Sequence, residues 1–83
     1  MIHLEVTTPD QALLNTDVEW VTIPGILGEF QVLPGHTTLL SELGSGKLSY
    51  QKGSDLKSLE ISGGFAEVRE NQVTVLADSA SSS

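Results

Sequence analysis

The sequence predicts an all-β domain, an antiparallel β-sandwich or barrel. Apolar and polar residues alternate with period two through most of the chain, and turn-forming residues interrupt that alternation at short intervals. With 83 residues, one domain is the expected count. Strands repeated every ~8–12 residues, each with a clean polar face, belong to antiparallel sheets that meet water on one side.

The elements follow in order. Ile2, Leu4 and Val6 alternate with His3, Glu5 and Thr7, as in a half-buried strand. Thr8-Pro9-Asp10-Gln11 has the residues of a helix capping box with proline at the first helical position. The apolar run behind it ends at Leu14, before Asn15-Thr16-Asp17, so a turn is expected there. Residues 18–24 set Val21 and Ile23, with Glu19, against Val18, Trp20 and Thr22. Phe30 and Val32 then alternate with Glu29 and Gln31, and Leu48 and Tyr50 with Lys47, Ser49 and Gln51. Leu59 and Ile61 alternate with Ser58, Glu60 and Ser62, Ala66 and Val68 with Glu67 and Arg69, and Val73, Val75 and Ala77 close the series.

Residues 25–28, Pro34-Gly35, Gly44-Ser45-Gly46, Lys52-Gly53-Ser54-Asp55, Gly63-Gly64 and Glu70-Asn71 read as the breakers between these strands. In residues 37–43, Leu39, Leu40 and Leu43 stand at helical spacing with Gly44 as a C-cap, so periodicity leaves a helical turn and a strand both open. No internal repeat or linker is present. The domain is expected over residues 1–78, with the serine-rich residues 79–83 as a frayed, disordered tail.

Four basic residues against eleven acidic ones give a net charge of −7. Such a surface repels nucleic acid and anionic lipid headgroups, so neither nucleic-acid binding nor lipid insertion is expected. It suits either simple solubility or steering of a protein partner with a basic face. There is no cysteine, and His3 and His36, the two histidines, are too scattered for a structural zinc site. No apolar run approaches the ~20 residues that span a bilayer, and the first residues carry no basic leader or apolar core of a signal peptide. A soluble, cytosolic location is expected.

No catalytic constellation is found, and no cofactor or metal is expected. Gly46-Lys47 fails as a phosphate loop because Leu48 stands in place of Ser or Thr and Ser41 in place of the first glycine. Gly44-Ser45-Gly46 lacks the spacing of a nucleophile elbow and reads as a turn. His36, after Pro34-Gly35 at a loop tip, reads as a turn residue or an interface contact. Trp20 either covers an open end of the core or serves as a binding anchor.

Three strings point to a family. Gly28-Glu29-Phe30-Gln31-Val32-Leu33-Pro34-Gly35-His36-Thr37-Thr38-Leu39-Leu40 resembles the Gly-Glu…Pro-Gly-His-x-x-Leu-Leu stretch of F-type ATP synthase epsilon subunits. Ile61-Ser62-Gly63-Gly64-Phe65-Ala66-Glu67-Val68 and Val73-Thr74-Val75-Leu76-Ala77-Asp78-Ser79-Ala80 are similar to that family's Ser-Gly-Gly-x-x-Glu-Val and Val-Thr-Val-Leu-Ala-Asp-x-Ala. They occur in the family's order across nearly the whole chain. Relatives often have Ala-Pro where this chain has Thr37-Thr38.

The resemblance implies a flattened sandwich of about ten short strands, with residues 38–43 extended. It also implies a non-catalytic subunit at the foot of the central stalk, peripheral on the cytoplasmic face of the inner membrane. There it would bridge the gamma subunit and the c-subunit ring and couple rotation to ATP synthesis. By matched positions, Gly28 and Glu29 would face the ring, and His36, Ser41 and Ser62 would face gamma. Most relatives continue into a helical hairpin that acts as a brake and in some binds ATP; these roles are not carried onto the 83 residues. The competing reading is a free-standing acidic sandwich that binds a soluble protein or a sugar.

Overall fold

The computed structural model describes residues 1–35 and 38–82. Eight strands follow one another: β1 (Ile2–Thr7), β2 (Ala12–Val18), β3 (Trp20–Gly25), β4 (Gly28–Val32), β5 (Leu39–Glu42), β6 (Ser45–Lys52), β7 (Asp55–Arg69) and β8 (Gln72–Ser82). They pair in the order β2-β1-β8-β7-β6-β3-β4, and β5 joins the other end of β7.

The count is eight rather than about ten because β7 and β8 are long, 15 and 11 residues. Gly63-Gly64 does not separate two hairpin strands; it bends one. On its first half β7 pairs with β6 (Gly46↔Ile61, Leu48↔Leu59), and on its second half with β5 (Leu39↔Val68, Ser41↔Ala66). Strand β8 follows β7 through the bend, from Arg69↔Gln72 to Leu59↔Ser82. The sheet therefore folds over on itself at the bend, and the inner faces of its two halves share one core.

That core holds the residues the alternation selects. Ile2, Leu4 and Val6 of β1, Val73 and Val75 of β8, and Val68 of β7 come from one half; Val21, Ile23, Val32 and Leu48 come from the other, all fully buried. Burying a side chain of this size contributes about 1.5–3 kcal/mol. Tyr50 lies among them, and burial pushes its phenol pKa up.

Three further differences from the sequence reading have physical causes. Residues 12–18 form β2, an edge strand paired to β1 alone, where Leu14 reaches the core and Asn15 and Asp17 face water. One buried face is all that an edge strand needs, so its alternation is weak. The first strand β1 pairs in parallel with the last, β8 (Leu4↔Val73, Val6↔Val75), the single parallel ladder among the described residues. No hairpin connects these two, so no loop dictates their direction. Third, residues 79–82 are not a frayed tail: Ser79, Ala80 and Ser81 pair with Ser62, Ile61 and Glu60 as the end of β8.

Residues 39–42 are a strand, as the resemblance implies, and Thr8–Gln11 is a turn closed by the Thr8 amide on the Gln11 carbonyl at 2.9 Å. Trp20 is half-buried and stands opposite Gln51 on the outer side of its strand.

Candidate partner-binding surface

The Gly25-Ile26-Leu27-Gly28 segment closes the β3–β4 hairpin with two residues between the paired glycines. Gly28 has φ 139°, a backbone conformation suited to glycine. A Cβ on Gly25 would lie 2.8 Å from the Gly28 carbonyl oxygen, so this position also excludes a side chain. The tight loop leaves its two apolar residues nowhere to fold back. Leu27 is 100% exposed and Ile26 55% exposed.

Strand β5 runs alongside this tip. The Ile26 amide donates to the Glu42 carbonyl at 2.9 Å, and Leu43 bridges Gly25. Between hairpin and strand lies an open groove of about 580 Å³, lined by Ile26, Leu27, Phe30 and Leu40 with Glu29 and Glu42. Apolar walls carrying exposed carboxylates suit a partner segment that is apolar with a basic or hydrogen-bonding group.

Gly28, Glu29 and Ser41 all border this groove. The Ser41 hydroxyl donates to the Glu42 carbonyl at 3.1 Å, and Ser41 itself is half-buried. Ser62 lies elsewhere, exposed on β7 with its hydroxyl 3.3 Å from that of Ser45, beside a shallow depression shared with Ser79 and Ser81. His36 falls outside the described residues. The loop leading to it is tied to the β7–β8 turn by the Gly35 amide, which donates to Asn71 Oδ1 at 2.8 Å.

The sequence reading did not single out Ile26, Leu27 or Glu42. Its available signal was an apolar pair at the centre of a Gly-x-x-Gly loop, where polar residues are the norm. Among the described residues no cluster of three or more His, Cys, Asp or Glu could hold a metal. Among the described residues two ion pairs lie on the surface, His3 Nδ1 with Asp17 Oδ1 at 2.9 Å and Arg69 with Glu67 at 3.3 Å. The hydrogen bond to Asp17 raises the His3 pKa. What the surface offers is shape and apolar area for a macromolecular partner.

The family model of the β-sandwich domain of the ATP synthase delta/epsilon chain matches residues 1–83. The chain belongs to this family. An ATP synthase epsilon chain of Nitratidesulfovibrio vulgaris is 49% identical over 79 residues, 95% of this chain and 59% of that protein. An ATP synthase epsilon chain of Lawsonia intracellularis is 46% identical over the same shares. The chain thus spans about 59% of the length of these relatives.

Among solved structures, a chain in the cryo-EM structure of the Euglena gracilis mitochondrial ATP synthase, OSCP/F1/c-ring, superposes with a TM-score of 0.91 at 32% identity. That match covers 98% of this chain and 52% of that one. A chain of the Tetrahymena thermophila mitochondrial ATP synthase central stalk and c-ring shares the fold, with a TM-score of 0.80 at 17% identity over 95% of this chain and 64% of that one.

Proposed function

We propose that this domain is a non-catalytic rotor part of an F-type proton-translocating ATP synthase. It binds the gamma subunit on one side and the c-subunit ring on the other, so that rotation of the ring reaches the shaft. The observation that carries the reading is family membership along the whole chain, combined with the fully exposed Ile26-Leu27 tip beside Glu29. An apolar pair held out by a rigid hairpin is unfavourable in water and suits a surface that is covered in an assembly.

Gly28 and Glu29 are assigned to the ring, and His36, Ser41 and Ser62 to gamma. Glu29 and Ser41 border one groove, so the two contacts meet at that end of the domain. The assembly holds the domain at the membrane without inserting it, on the cytoplasmic face. It performs no chemistry itself and uses no cofactor.

A cysteine at Glu29, paired with one in the polar loop of the c subunit, tests the placement. Disulfide formation on oxidation of assembled enzyme is expected. Crosslinking to alpha or beta alone would overturn the ring assignment, and failure of gamma to copurify with the chain would overturn the function.

A further inference from the structure

Strand β8 is covered on both sides only over its first half. Strand β1 pairs with it from His3↔Gln72 to Thr7↔Leu76. Pro9 then has no amide to continue the ladder, and the Thr8 amide, on the Gln11 carbonyl at 2.9 Å, turns the chain back into β2. Beyond Leu76 the β1 side of β8 is bare. Among the described residues, the backbone of residues 77–82 pairs with β7 alone.

The other three edges are short or obstructed. Strand β4 has five residues and begins at Gly28, and β5 has four, with the Ile26 amide on the Glu42 carbonyl. On β2, the Thr16 hydroxyl accepts from the Lys52 ammonium and Asp17 holds His3. The β8 edge reads Ala77-Asp78-Ser79-Ala80-Ser81-Ser82, with small side chains, no proline or lysine, and one carboxylate. An edge of that kind is a template for another strand.

Two depressions follow one another along it. One, of about 300 Å³, lies in the fork where β1 leaves β8, with Pro9, Phe65 and Leu76 as apolar walls and Thr8 and Asp78 as polar ones. The next, of about 270 Å³, is bordered by Glu60, Ser62, Ser79 and Ser81. Among the described residues neither Asp78 nor Glu60 has an ion pair.

We propose that residues 77–82 take up an extended segment of a partner protein as an added strand. The segment places an apolar side chain in the fork and an arginine or lysine two residues later. Successive outward side chains of a strand are about 7 Å apart, one for each depression. Main-chain hydrogen bonds to the bare edge supply affinity, and the two unpaired carboxylates select the cation. A second copy of this chain, at net charge −7, would be repelled. Ser62 apart, none of these residues belongs to the gamma or ring contacts assigned above, and the proposal does not rest on the rotor reading.

The test uses two eight-residue peptides of alternating threonine whose other face carries isoleucine and, two residues on, arginine in one and glutamate in the other. Each is titrated into the isotopically labelled chain. The arginine peptide is expected to shift amides of residues 77–82, to slow the exchange of those on the bare edge, and to weaken as salt rises from about 0.05 to about 0.5 M. Its N-methylated form keeps the side chains but cannot pair as a strand, and should bind at least about tenfold more weakly. Ser81→Lys, on an exposed side chain, should weaken binding as much with Tm unchanged, whereas Gln31→Lys on the β4 edge should not. Asp78→Asn with Glu60→Gln should flatten the salt dependence. Equal binding of the glutamate or the N-methylated peptide, protection along β2, β4 or β5 instead, no binding at about 1 mM peptide, or self-association through residues 77–82 would each overturn the proposal.

Discussion

Gly64 lies so close to Leu76 that a Cβ on Gly64 would fall within the Leu76 carbonyl oxygen and 2.8 Å from Ala77 Cα. This contact is the inside of the bend that turns β7 and β8 from one half of the sheet to the other. Gly63, with φ 70°, and Gly64, with φ 108°, both occupy backbone conformations that favour glycine.

The two positions should differ in cost. Gly64→Ala meets backbone that cannot move without opening the ladder, and should cost about 3 kcal/mol or more, lowering Tm by over ~10 °C. At Gly63 the added atom meets the Asp78 carboxylate, the free end of an exposed side chain. Gly63→Ala should therefore cost about 1–2 kcal/mol, mainly from φ. Equal melting temperatures for the two variants would contradict the bend geometry.

Glu70 is the one non-glycine residue with positive φ among those described, at 53° in the β7–β8 turn. The left-handed conformation costs an L-residue roughly 1–2 kcal/mol, offset in part by the entropy glycine loses on folding. Glu70→Gly should raise Tm by about 4–8 °C, and Glu70→Val should lower it. Thermal denaturation of both variants checks the sign.

His3 and Asp17 give the edge strand β2 a pH dependence. The hydrogen bond to Asp17 is the largest influence on His3 and raises its pKa, with Asn15 and the charges of Asp17 and Glu5 adding to it. A histidine that binds protons more tightly when folded stabilises the fold fully below its ordinary pKa. That contribution is lost as pH rises through the raised value. NMR titration should find His3 above the usual histidine range, and Asp17→Asn should return it there. Protection of the β2 amides, after correction for base-catalysed intrinsic exchange, should fall above the raised pKa in the natural sequence and change little with pH in Asp17→Asn.

Leu4 and Leu27 separate packing from binding. Leu4 is fully buried, and Leu4→Ala should cost about 2–5 kcal/mol. Leu27 is fully exposed, so Leu27→Ser should leave Tm within about 0.5 kcal/mol equivalent while weakening the proposed association with the c-ring. A pull-down on assembled rotor, paired with a melting curve, reads both.

Much of this fold was legible because period-two patterns show which residues face a core. Ile2, Leu4 and Val6 announce β1, and Val73 and Val75 announce β8, since both strands lie inside the sheet and bury a full face. Strand β2 was hidden because its edge position leaves Asn15, Thr16 and Asp17 free to be polar. The Gly63-Gly64 pair was read as a break because glycine marks both turns and bends. Only the pairing of β8 on both sides of it tells them apart. At the candidate surface, motif matching reached Gly28 and Glu29, but the exposure of Ile26 and Leu27 depends on how tightly the loop closes, which no pattern records.

The bend in β7 and β8 also has a mechanical meaning. Both strands are covalently continuous through both halves, and their ladder runs from Arg69↔Gln72 to Leu59↔Ser82. A pull on one half along the strands loads many ladder hydrogen bonds at once, in shear, so none can break first and unzip the rest. The weak axis is different: a force that peels β2 or β4 from its edge meets the bonds one at a time. Attachment points on the β7–β8 ribbon can therefore bear sustained load, whereas attachment through an edge strand would yield by fraying.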